Sequence, residues 1–371
     1  MEFCGANVRI ARVFRGDTQQ SLAEKIAVSE GAIWQIEKGR KPSETLLDAI
    51  ALTLGFEPEF FFEPLPDEFT EEDCNFRRST SAAEKLRKRV LARGTLFAQL
   101  VRRVQQKVNL PKYTVPAIAC TSDEEIELAA EECRRTWRLG TDTPIAHVGR
   151  VLENSGVMLT RLEGESTKID AFSRKSAACD VSFVVLNDAK GSTSRARFDM
   201  AHELGHLVMH NDSPLQYAER EQQADRFASA FLLPRRAFAR EFWTGGHLDW
   251  VRVFELKARW KVSAQAIVYR AYDLGLIDAV EFRRAYKTIS ARGWRKGEPE
   301  EPPPERPELF RTALQTLWER KKIGAADLAK ELRWSLQTFT DVTGWHQGAP
   351  VDAPTGTLKL ITSSTAPGSL S

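Results

Sequence analysis

The stretch His202-Glu203-Leu204-Gly205-His206 constrains this chain most, because it predicts a helix with two histidines on one face. Residues four apart lie one turn apart on the same side of an α-helix. His202 and His206 could therefore bind one metal ion, and Glu203 could act on a water molecule bound to that ion. A buried helix could also carry two histidines by chance. However, three of the six histidines lie within residues 201–210, which favours the metal site.

A second segment, residues 219–234, predicts a helix that could supply a third ligand. Its apolar residues recur at three- and four-residue spacing, and Pro234 ends the pattern. Glu221 and Asp225 share one face beside that apolar stripe. A catalytic zinc usually takes three protein ligands and keeps a fourth position for water. We predict Glu221 as the third zinc ligand and Asp225 as the acceptor for a ligating histidine's free N–H. An exposed acidic helix face is the alternative.

The sequence around these two predicted helices resembles that of the ImmA/IrrE family of zinc metallopeptidases. The similarity rests on R-A-R-F-D-M-A before H-E-L-G-H and on E-x-x-A-D-R-F-A-S-A-F-L-L-P after it. It covers roughly residues 140–240 and includes the upstream runs 170–173 and 183–187. Family members often carry Glu where this chain has Gln223, a departure that favours Glu221 as the ligand. The resemblance implies a regulatory peptidase that cleaves or inactivates a partner repressor, often fused to an XRE-type helix-turn-helix domain.

The chemistry expected of such a site is metal-assisted peptide hydrolysis. Zinc would polarise the scissile carbonyl and lower the pKa of its bound water towards about 7. Glu203 would take the proton from that water and pass it to the leaving amine. His210, two turns beyond His202, and Tyr217, expected in the loop between the helices, are both candidates to stabilise the oxyanion. The residues do not decide between them, and His210 could instead be a surface histidine at the helix end.

The N-terminus predicts two short helices joined by a tight turn. Residues 18–26 form the first and residues 30–38 the second, with Ser29 placed as the N-cap and Gly39 ending the second helix. A further amphipathic helix spans residues 46–54. Two helices and a tight turn form the helix-turn-helix plan. The pattern T-Q-x-x-L-A, V-S, I-x-x-I-E-x-G and P-S-x-x-T-L closely resembles XRE-type repressors.

That resemblance assigns the DNA contacts. The groove-facing side chains it implies are Gln19, Glu30, Trp34 and Gln35, and those near phosphates are Lys38, Arg40 and Lys41. Two observations oppose it. Residues 1–64 hold ten acidic and seven basic residues, a net charge of −3, which is unlike a strongly basic DNA-binding module. Trp34 is bulky where the XRE pattern is usually small. A helix-turn-helix used for protein contact therefore remains an alternative.

The segment from Arg77 to Lys107 reverses this charge, with ten basic residues opposed only by Glu84. It follows an acidic stretch, residues 57–73, that contains no Lys or Arg. A helix that contacts phosphates and strengthens DNA binding is one interpretation. A solvated helix face, partly paired with the acidic stretch, is the other. The sequence favours neither.

The predicted fold class is mainly α. A small α+β zincin-like peptidase domain combines a short three-stranded sheet with the metal-binding helices, and the N-terminal helix-turn-helix domain is all-α. The predicted segments are the helix-turn-helix domain 6–64, an acidic linker and basic helical segment 65–135, the peptidase domain 136–295, a Pro-rich linker 296–308, a small helical module 309–345 and a disordered tail 354–371. Residues 327–332 weakly resemble another helix-turn-helix.

The remaining composition bounds the setting. No stretch approaches the roughly 18 apolar residues of a membrane span. The N-terminus lacks the order of a signal peptide, and the five cysteines are scattered, which predicts a cytoplasmic protein with reduced thiols. The predicted function is a DNA-binding regulator whose zinc endopeptidase domain cleaves a repressor or antitoxin, with a homodimer left open. The alternative is a non-proteolytic transcription factor whose zincin domain is a sensor or interaction module.

Overall fold

The computed structural model describes a mainly helical chain with a small three-stranded sheet, which confirms the predicted fold class. The described residues are 2–63, 65, 67–70, 81–162, 171–176, 181–187, 191–211, 213, 215–242, 248–295, 297–344 and 359–360. The chain divides into two compact units. The first contains residues 1–111, 176–180 and 308–371, and the second contains residues 112–175 and 181–307.

The first unit is helical and takes its elements from both ends of the chain. They are α1 Gly5–Phe14, α2 Gln19–Lys25, α3 Glu30–Glu37, α4 Glu44–Leu54, a 3-10 helix Pro58–Phe62, α5 Ser81–Gln105, α14 Leu309–Lys321, α15 Ala325–Glu331 and α16 Leu336–Thr343. The two-residue strands β1 Val108–Asn109 and β5 Lys359–Leu360 pair antiparallel.

The second unit contains the sheet and the helices around it. They are α6 Asp123–Thr136, α7 Val148–Asn154, β2 Val157–Leu162, β3 Phe172–Lys175, β4 Ser182–Asn187, α8 Thr193–Met209, α9 Tyr217–Leu232, α10 Arg235–Glu241, α11 Trp250–Trp260, α12 Ala264–Asp273 and α13 Ala279–Ala291.

Side-chain caps start the N-terminal helices, and one of them, Ser29, is the N-cap that the sequence predicted. Thr18, Ser29 and Ser43 each accept a hydrogen bond from the backbone N–H three residues on. Gly39 takes the left-handed conformation, with φ +101°, which favours glycine after a helix. These local signals set the lengths of α2 and α3, so the helix-turn-helix prediction is confirmed at the level of its elements.

Helix α5 runs through the core of the first unit. Val90, Leu96 and Leu100 are at most 1% exposed, as expected of a helix packed on several sides. Several of its basic residues bond to neighbouring helices: Arg89 donates to the Phe14 carbonyl (3.2 Å) and Arg93 to the Val342 carbonyl (3.0 Å). Part of the predicted basic face is therefore committed to packing. Two of its arginines, 77 and 78, lie outside the described residues.

The C-terminal helices pack in the same unit as the N-terminal ones. Phe310 of α14 meets Phe97 of α5 edge-on, with ring centroids 5.0 Å apart. Residues 309–332, predicted as one helical stretch, form two helices because Lys322 is left-handed (φ +58°) and Gly324 starts α15. The tail predicted to be disordered, residues 354–371, lies outside the described residues except for β5.

The sheet of the second unit has the order β2-β4-β3. β2 and β4 are parallel, with Val157 opposite Ser182, and β3 is antiparallel to β4. The strand predicted at 157–162 matches β2, while β3 and β4 begin slightly later than expected. Helices α7 and α8 pack on this sheet, and α9 packs on α8 and α6. Helix α6 therefore lies inside the second unit, which starts at residue 112 and not at the predicted boundary of 136.

The segment predicted as a Pro-rich linker, 296–308, is bonded to the second unit wherever it is described. Three of its glutamates each meet the first turn of a different helix: Glu298 accepts from Ala264 N (2.7 Å), Glu301 from Ser194 N (2.8 Å) and Glu305 from Gly149 N (2.9 Å). Carboxylates at these positions satisfy free N–H groups and the helix dipole. We call residues 298–305 the acidic strap. Among the described residues, no helix is long and apolar enough to cross a membrane.

Candidate metal centre

The predicted ligands converge at the contact of α8 and α9. The Nε2 atoms of His202 and His206 are 3.1 Å apart. Glu221 Oε1 lies 3.2 Å from His206 Nε2, and Glu221 Oε2 lies 3.8 Å from His202 Nε2. Ligands of a tetrahedral zinc at about 2.0–2.2 Å are separated by roughly 3.3–3.6 Å. The three side chains thus form a group that could hold a metal ion.

A glycine between the histidines lets the two helices approach. A Cβ placed on Gly205 would lie 3.1 Å from Cδ1 of Phe227 and 3.3 Å from the Cα of Ala224. Such contacts are tighter than packed side chains normally make, so a larger residue would push α9 outward. Because Glu221 lies one turn before Ala224, Gly205 supports the position of the carboxylate ligand as well as the packing.

His202 is oriented by Asp225, as the sequence predicted. Its Nδ1 lies 2.8 Å from Asp225 Oδ1, so the ring donates from Nδ1 and directs Nε2 at the site, where a bound metal would replace the Nε2 proton. Burial opposes the charged form of His202. The bond to Asp225 and the charges of Glu203 and Glu221 outweigh burial and raise the pKa of His202 to about 9.

His210 lies behind His206 and is buried, not on the surface. His210 Nδ1 is 2.9 Å from His206 Nδ1, the nitrogen opposite the one that faces Glu221. His210 Nε2 is 3.0 Å from Gln223 Oε1. Burial, followed by the charges of His206, Arg220 and His202, outweighs the bond to Gln223 and lowers the pKa of His210 to about 4. His210 is therefore neutral near pH 7 and can accept one hydrogen bond while donating another.

The hydrogen bonds from His206 to His210 and from His210 to Gln223 form a relay in which every proton points away from the metal site. If His206 presents the lone pair of Nε2, its Nδ1–H must donate to His210 Nδ1. His210 then carries its proton on Nε2 and donates it to the amide oxygen of Gln223. Gln223, the residue that departs from the family pattern, therefore selects the tautomer in which His206 can bind a metal.

Tyr217 is the first residue of α9, not a loop residue as expected. Burial would raise the pKa of Glu221, but contact with His206, the charge of His202 and a hydrogen bond from Tyr217 lower it below its ordinary value. The carboxylate of Glu221 is thus held in its charged, metal-binding form. This contact also places the Tyr217 side chain beside the candidate site.

Glu203 is 4% exposed, and its Oε2 atom has no hydrogen-bond partner among the described residues. A buried, unpaired carboxylate oxygen costs free energy and calls for an explanation. Glu203 directly follows His202 and is outside the candidate ligand group, an arrangement that fits an acid–base role. The unpaired oxygen and the converging lone pairs both fit a metal with a bound water.

The residues assigned to DNA lie in the N-terminal helices. Trp34 of α3 is 53% exposed, which accords with a residue that contacts a partner. The other exposed residues of this set are Glu30, Gln35, Lys38, Arg40 and Lys41. Gln19 differs, because it donates to Glu37 Oε2 (2.6 Å), and Arg12 holds the same carboxylate. Gln35 accepts a hydrogen bond from Arg40, so these two are held together.

Two groups at the metal site and its helix were not predicted from the sequence. The bond from His210 to Gln223 joins two helices, and the only signal for it was that Gln223 departs from the family pattern. The strap carboxylate of Glu301 accepts from the start of α8, the helix that carries both histidines. Glu301 lies three residues after Glu298 and four residues before Glu305. This helical spacing could have indicated that the three glutamates have the same role.

Two family models match the chain. The IrrE N-terminal-like domain of peptidase family M78 matches residues 152–272, which include all three candidate ligands and Glu203. A helix-turn-helix model matches residues 8–61. The chain is a fusion of a helix-turn-helix domain and an IrrE-like domain. None of the curated proteins compared with it matches. The predicted resemblance is therefore confirmed for both domains, and the helix-turn-helix match supports DNA binding.

Proposed function

We propose that this IrrE-like protein is a DNA-binding regulator whose zinc-dependent endopeptidase domain cleaves a partner repressor or antitoxin. The observation that carries the enzymatic part is Glu203. A site that only bound metal would need His202, His206 and Glu221, and would have no use for Glu203, a further buried carboxylate outside that group.

The residues of the site have separate roles in this reaction. His202, His206 and Glu221 would hold the zinc, which when bound supplies a water of lowered pKa and polarises the scissile carbonyl. Glu203 accepts a proton at its free oxygen and returns it to the departing amine. Asp225 keeps His202 oriented through its 2.8 Å contact.

Tyr217 is the better of the two predicted oxyanion donors. Both ring nitrogens of His210 are engaged, one with His206 and one with Gln223. The Tyr217 hydroxyl is bonded to Glu221, so it could turn from that carboxylate to the oxyanion without breaking the hydrogen bonds that orient His206. The Tyr217→Phe variant serves as a secondary probe of this role.

DNA binding is assigned to α3 and the basic residues that follow it. Trp34 and Gln35 would meet base edges, while Lys38, Arg40 and Lys41 would contact phosphates. The match to a helix-turn-helix family and the exposure of these five residues support the assignment. The net charge of −3 over residues 1–64 is compatible with DNA binding only because basic residues such as Lys38, Arg40 and Lys41 lie close together in the sequence.

The test of proteolysis is Glu203→Gln in the full chain. We expect this variant to keep its zinc and fold, because Glu203 is not a ligand, and to cut a purified partner about 10²–10⁴-fold more slowly. The candidate partners are repressors and antitoxins encoded beside this gene. Glu219→Gln, an exposed residue of α9, is the matched control. If Glu203→Gln relieves repression in cells as well as the unchanged protein does, the domain regulates without proteolysis.

A further inference from the structure

The three C-terminal helices repeat the first three helices of the chain. Every boundary of α15 and α16 is that of α2 and α3 plus 306: the pairs are Gln19–Lys25 with Ala325–Glu331 and Glu30–Glu37 with Leu336–Thr343. The left-handed residue that ends the preceding helix also matches, Gly16 (φ +76°) with Lys322 (φ +58°).

The turn between the paired helices is the same in detail. Ala27 (φ +55°) corresponds to Arg333 (φ +61°), both left-handed and neither a glycine. Ser29 and Ser335 follow as N-caps, each accepting from the backbone N–H three residues on. A non-glycine residue in this conformation is uncommon, so its recurrence at the equivalent position identifies one motif.

The cores of the two motifs match as well. The corresponding buried residues are Leu22 and Leu328, Ala23 and Ala329, Ile33 and Phe339, and Ile36 and Val342, each at most 3% exposed. Helix type, turn and core therefore agree, and residues 309–344 have the helix-turn-helix plan.

The residues that follow the two second helices differ. Neither α3 nor α16 contains Lys or Arg, but α3 is followed by Lys38, Arg40 and Lys41, whereas the corresponding positions after α16 are Gly344, His346 and Gln347. A helix that enters the groove needs cations nearby to offset the phosphates. The described part of the second motif supplies none at the equivalent positions.

One side of α16 packs on the N-terminal domain: Asp341, the counterpart of Gln35, is bonded to Arg15, whereas Leu336, the counterpart of Glu30, is 47% exposed. Thr338, the counterpart of Ala32, is fully buried and donates to the carbonyl of Gly55 after α4. Arg15 donates to Thr338 and Asp341, and also to the Leu54 carbonyl at 2.7 Å.

The main chain adds to this contact. Ser335 N donates to Gly55 O (3.0 Å), and Glu57 N donates to Arg333 O (2.8 Å). A Cβ on Gly55 would lie 2.9 Å from Thr338 Oγ1, so this close approach needs glycine.

We infer that residues 309–344 are a second helix-turn-helix whose reading-helix equivalent, α16, binds the N-terminal helix-turn-helix of the same chain and does not read DNA. The surface it fits is formed by Arg15 and the backbone of residues 54–57. Only α3 is then left to read DNA, and α16 serves as its internal support. The assignment of α3 as the reader rests on the proposed function, whereas the internal contact does not.

One experiment tests the contact by hydrogen exchange of the full chain. Thr338→Val and Asp341→Ala should speed amide exchange at least tenfold in α1 and α4, because both variants remove bonds to Arg15 or Gly55. Arg320→Ala, an exposed residue of the neighbouring helix α14, is the control and should leave exchange unchanged. Unchanged exchange in α1 and α4 for both junction variants would overturn the inference.

The second experiment tests which helix meets DNA, using a 30-base-pair random-sequence duplex at low salt. Gln35→Glu on α3 should weaken binding at least fivefold through repulsion of the phosphates. Gln337→Glu on α16 should change it less than twofold. Equal losses for both would overturn the inference, since α16 would then contact DNA. If neither variant changes binding, the DNA assignment of α3 fails, and the exchange experiment still decides the internal contact.

Discussion

At the scale of single residues, the site depends on which ring nitrogen carries a proton. His202 is controlled by a carboxylate, Asp225, whereas His206 is controlled by the neutral pair His210 and Gln223. A neutral relay orients the ligand without adding a second negative charge behind it. Outer contacts of this kind typically change metal affinity by about 10–100-fold when they are removed.

We therefore expect Gln223→Leu to lower zinc affinity about 10–100-fold, because His210 loses the acceptor that selects its tautomer. Gln223→Glu keeps an acceptor and should stay close to the unchanged protein. The measurement is competition with a chromophoric chelator at pH 7.5, with His202→Ala as the reference for a destroyed site. Equal affinity for Gln223→Leu and the unchanged chain would remove the relay from the metal site.

At the scale of elements, the acidic strap adds a second acceptor to helix starts that His147, Ser192 and Ser263 already cap. Lys257 of α11 is fully buried and bonds to Glu298 (3.0 Å) and Glu301 (2.8 Å). A buried ammonium group is tolerated only when it is paired in this way. The strap therefore contributes both ion pairs and helix capping, which explains why a proline-rich segment is bonded into the unit.

Glu301→Gln should lower the free energy of unfolding by about 1–3 kcal/mol at pH 7, since a charged partner of Lys257 and Ser194 is lost. Burial tends to raise the pKa of Glu301, but Lys257 and Ser194 lower it below 4.5. A lowered folded-state pKa stabilises above pH 4.5, and this contribution is lost as the pH falls through the folded value. Urea unfolding should show the deficit at pH 7 and a smaller one below pH 4.5. Glu300→Gln, which is exposed, should show neither.

Helix α5 gives a second prediction at this scale. Lys85 and Arg102 are exposed cations of α5 that form no hydrogen bond or ion pair among the described residues, so they are its best candidates for phosphate contact. We expect the double variant Lys85→Gln, Arg102→Gln to leave the salt dependence of DNA binding unchanged. The pair Arg40→Gln, Lys41→Gln should flatten the slope by about 0.9 per lost contact. If the α5 variant flattens the salt dependence of DNA binding, α5 contacts phosphates.

At the scale of the whole molecule, the first unit is discontinuous in the sequence. Its parts are residues 1–111 and 308–371, and nearly all of the IrrE-like unit lies between them. Phe56 and Trp334, 278 positions apart, form a β-bridge within it. An N-terminal fragment therefore lacks part of the core that surrounds its own helices. The full stability of the first unit requires both its N-terminal and its C-terminal residues.

A chain that ends at Pro307 should lose cooperative unfolding of the first unit and at least tenfold in DNA affinity, because α14–α16 no longer cover α5 and the backbone after α4. It should still bind zinc, since the ligands lie on α8 and α9. Thermal unfolding and DNA titration measure these effects. A chain that ends at Gly344 retains all three helices and is the control. Full DNA affinity in the shorter chain would show that residues 8–61 act alone.

Much of the local structure of this protein could be predicted from short patterns in its sequence. The spacing of His202 and His206, and of Glu221 and Asp225, was sufficient to predict that each pair shares one helix face, because α-helical periodicity brings residues four apart together. Caps such as Ser29 set the helix starts for the same reason, since they act within three residues. Both family resemblances were likewise carried by short, contiguous motifs.

Only the tertiary structure decided the contacts between distant segments. The bond of His210 to Gln223, the strap at Ser194 and the bonds of Arg15 to α16 each join parts of the chain that no local pattern relates. The resemblance of residues 327–332 to a helix-turn-helix was weak because core identity is limited to Leu328 and Ala329, while Phe339 and Val342 replace the isoleucines of the first motif. The left-handed turn at Arg333 is a backbone property, and it became visible only when the two motifs could be compared in three dimensions.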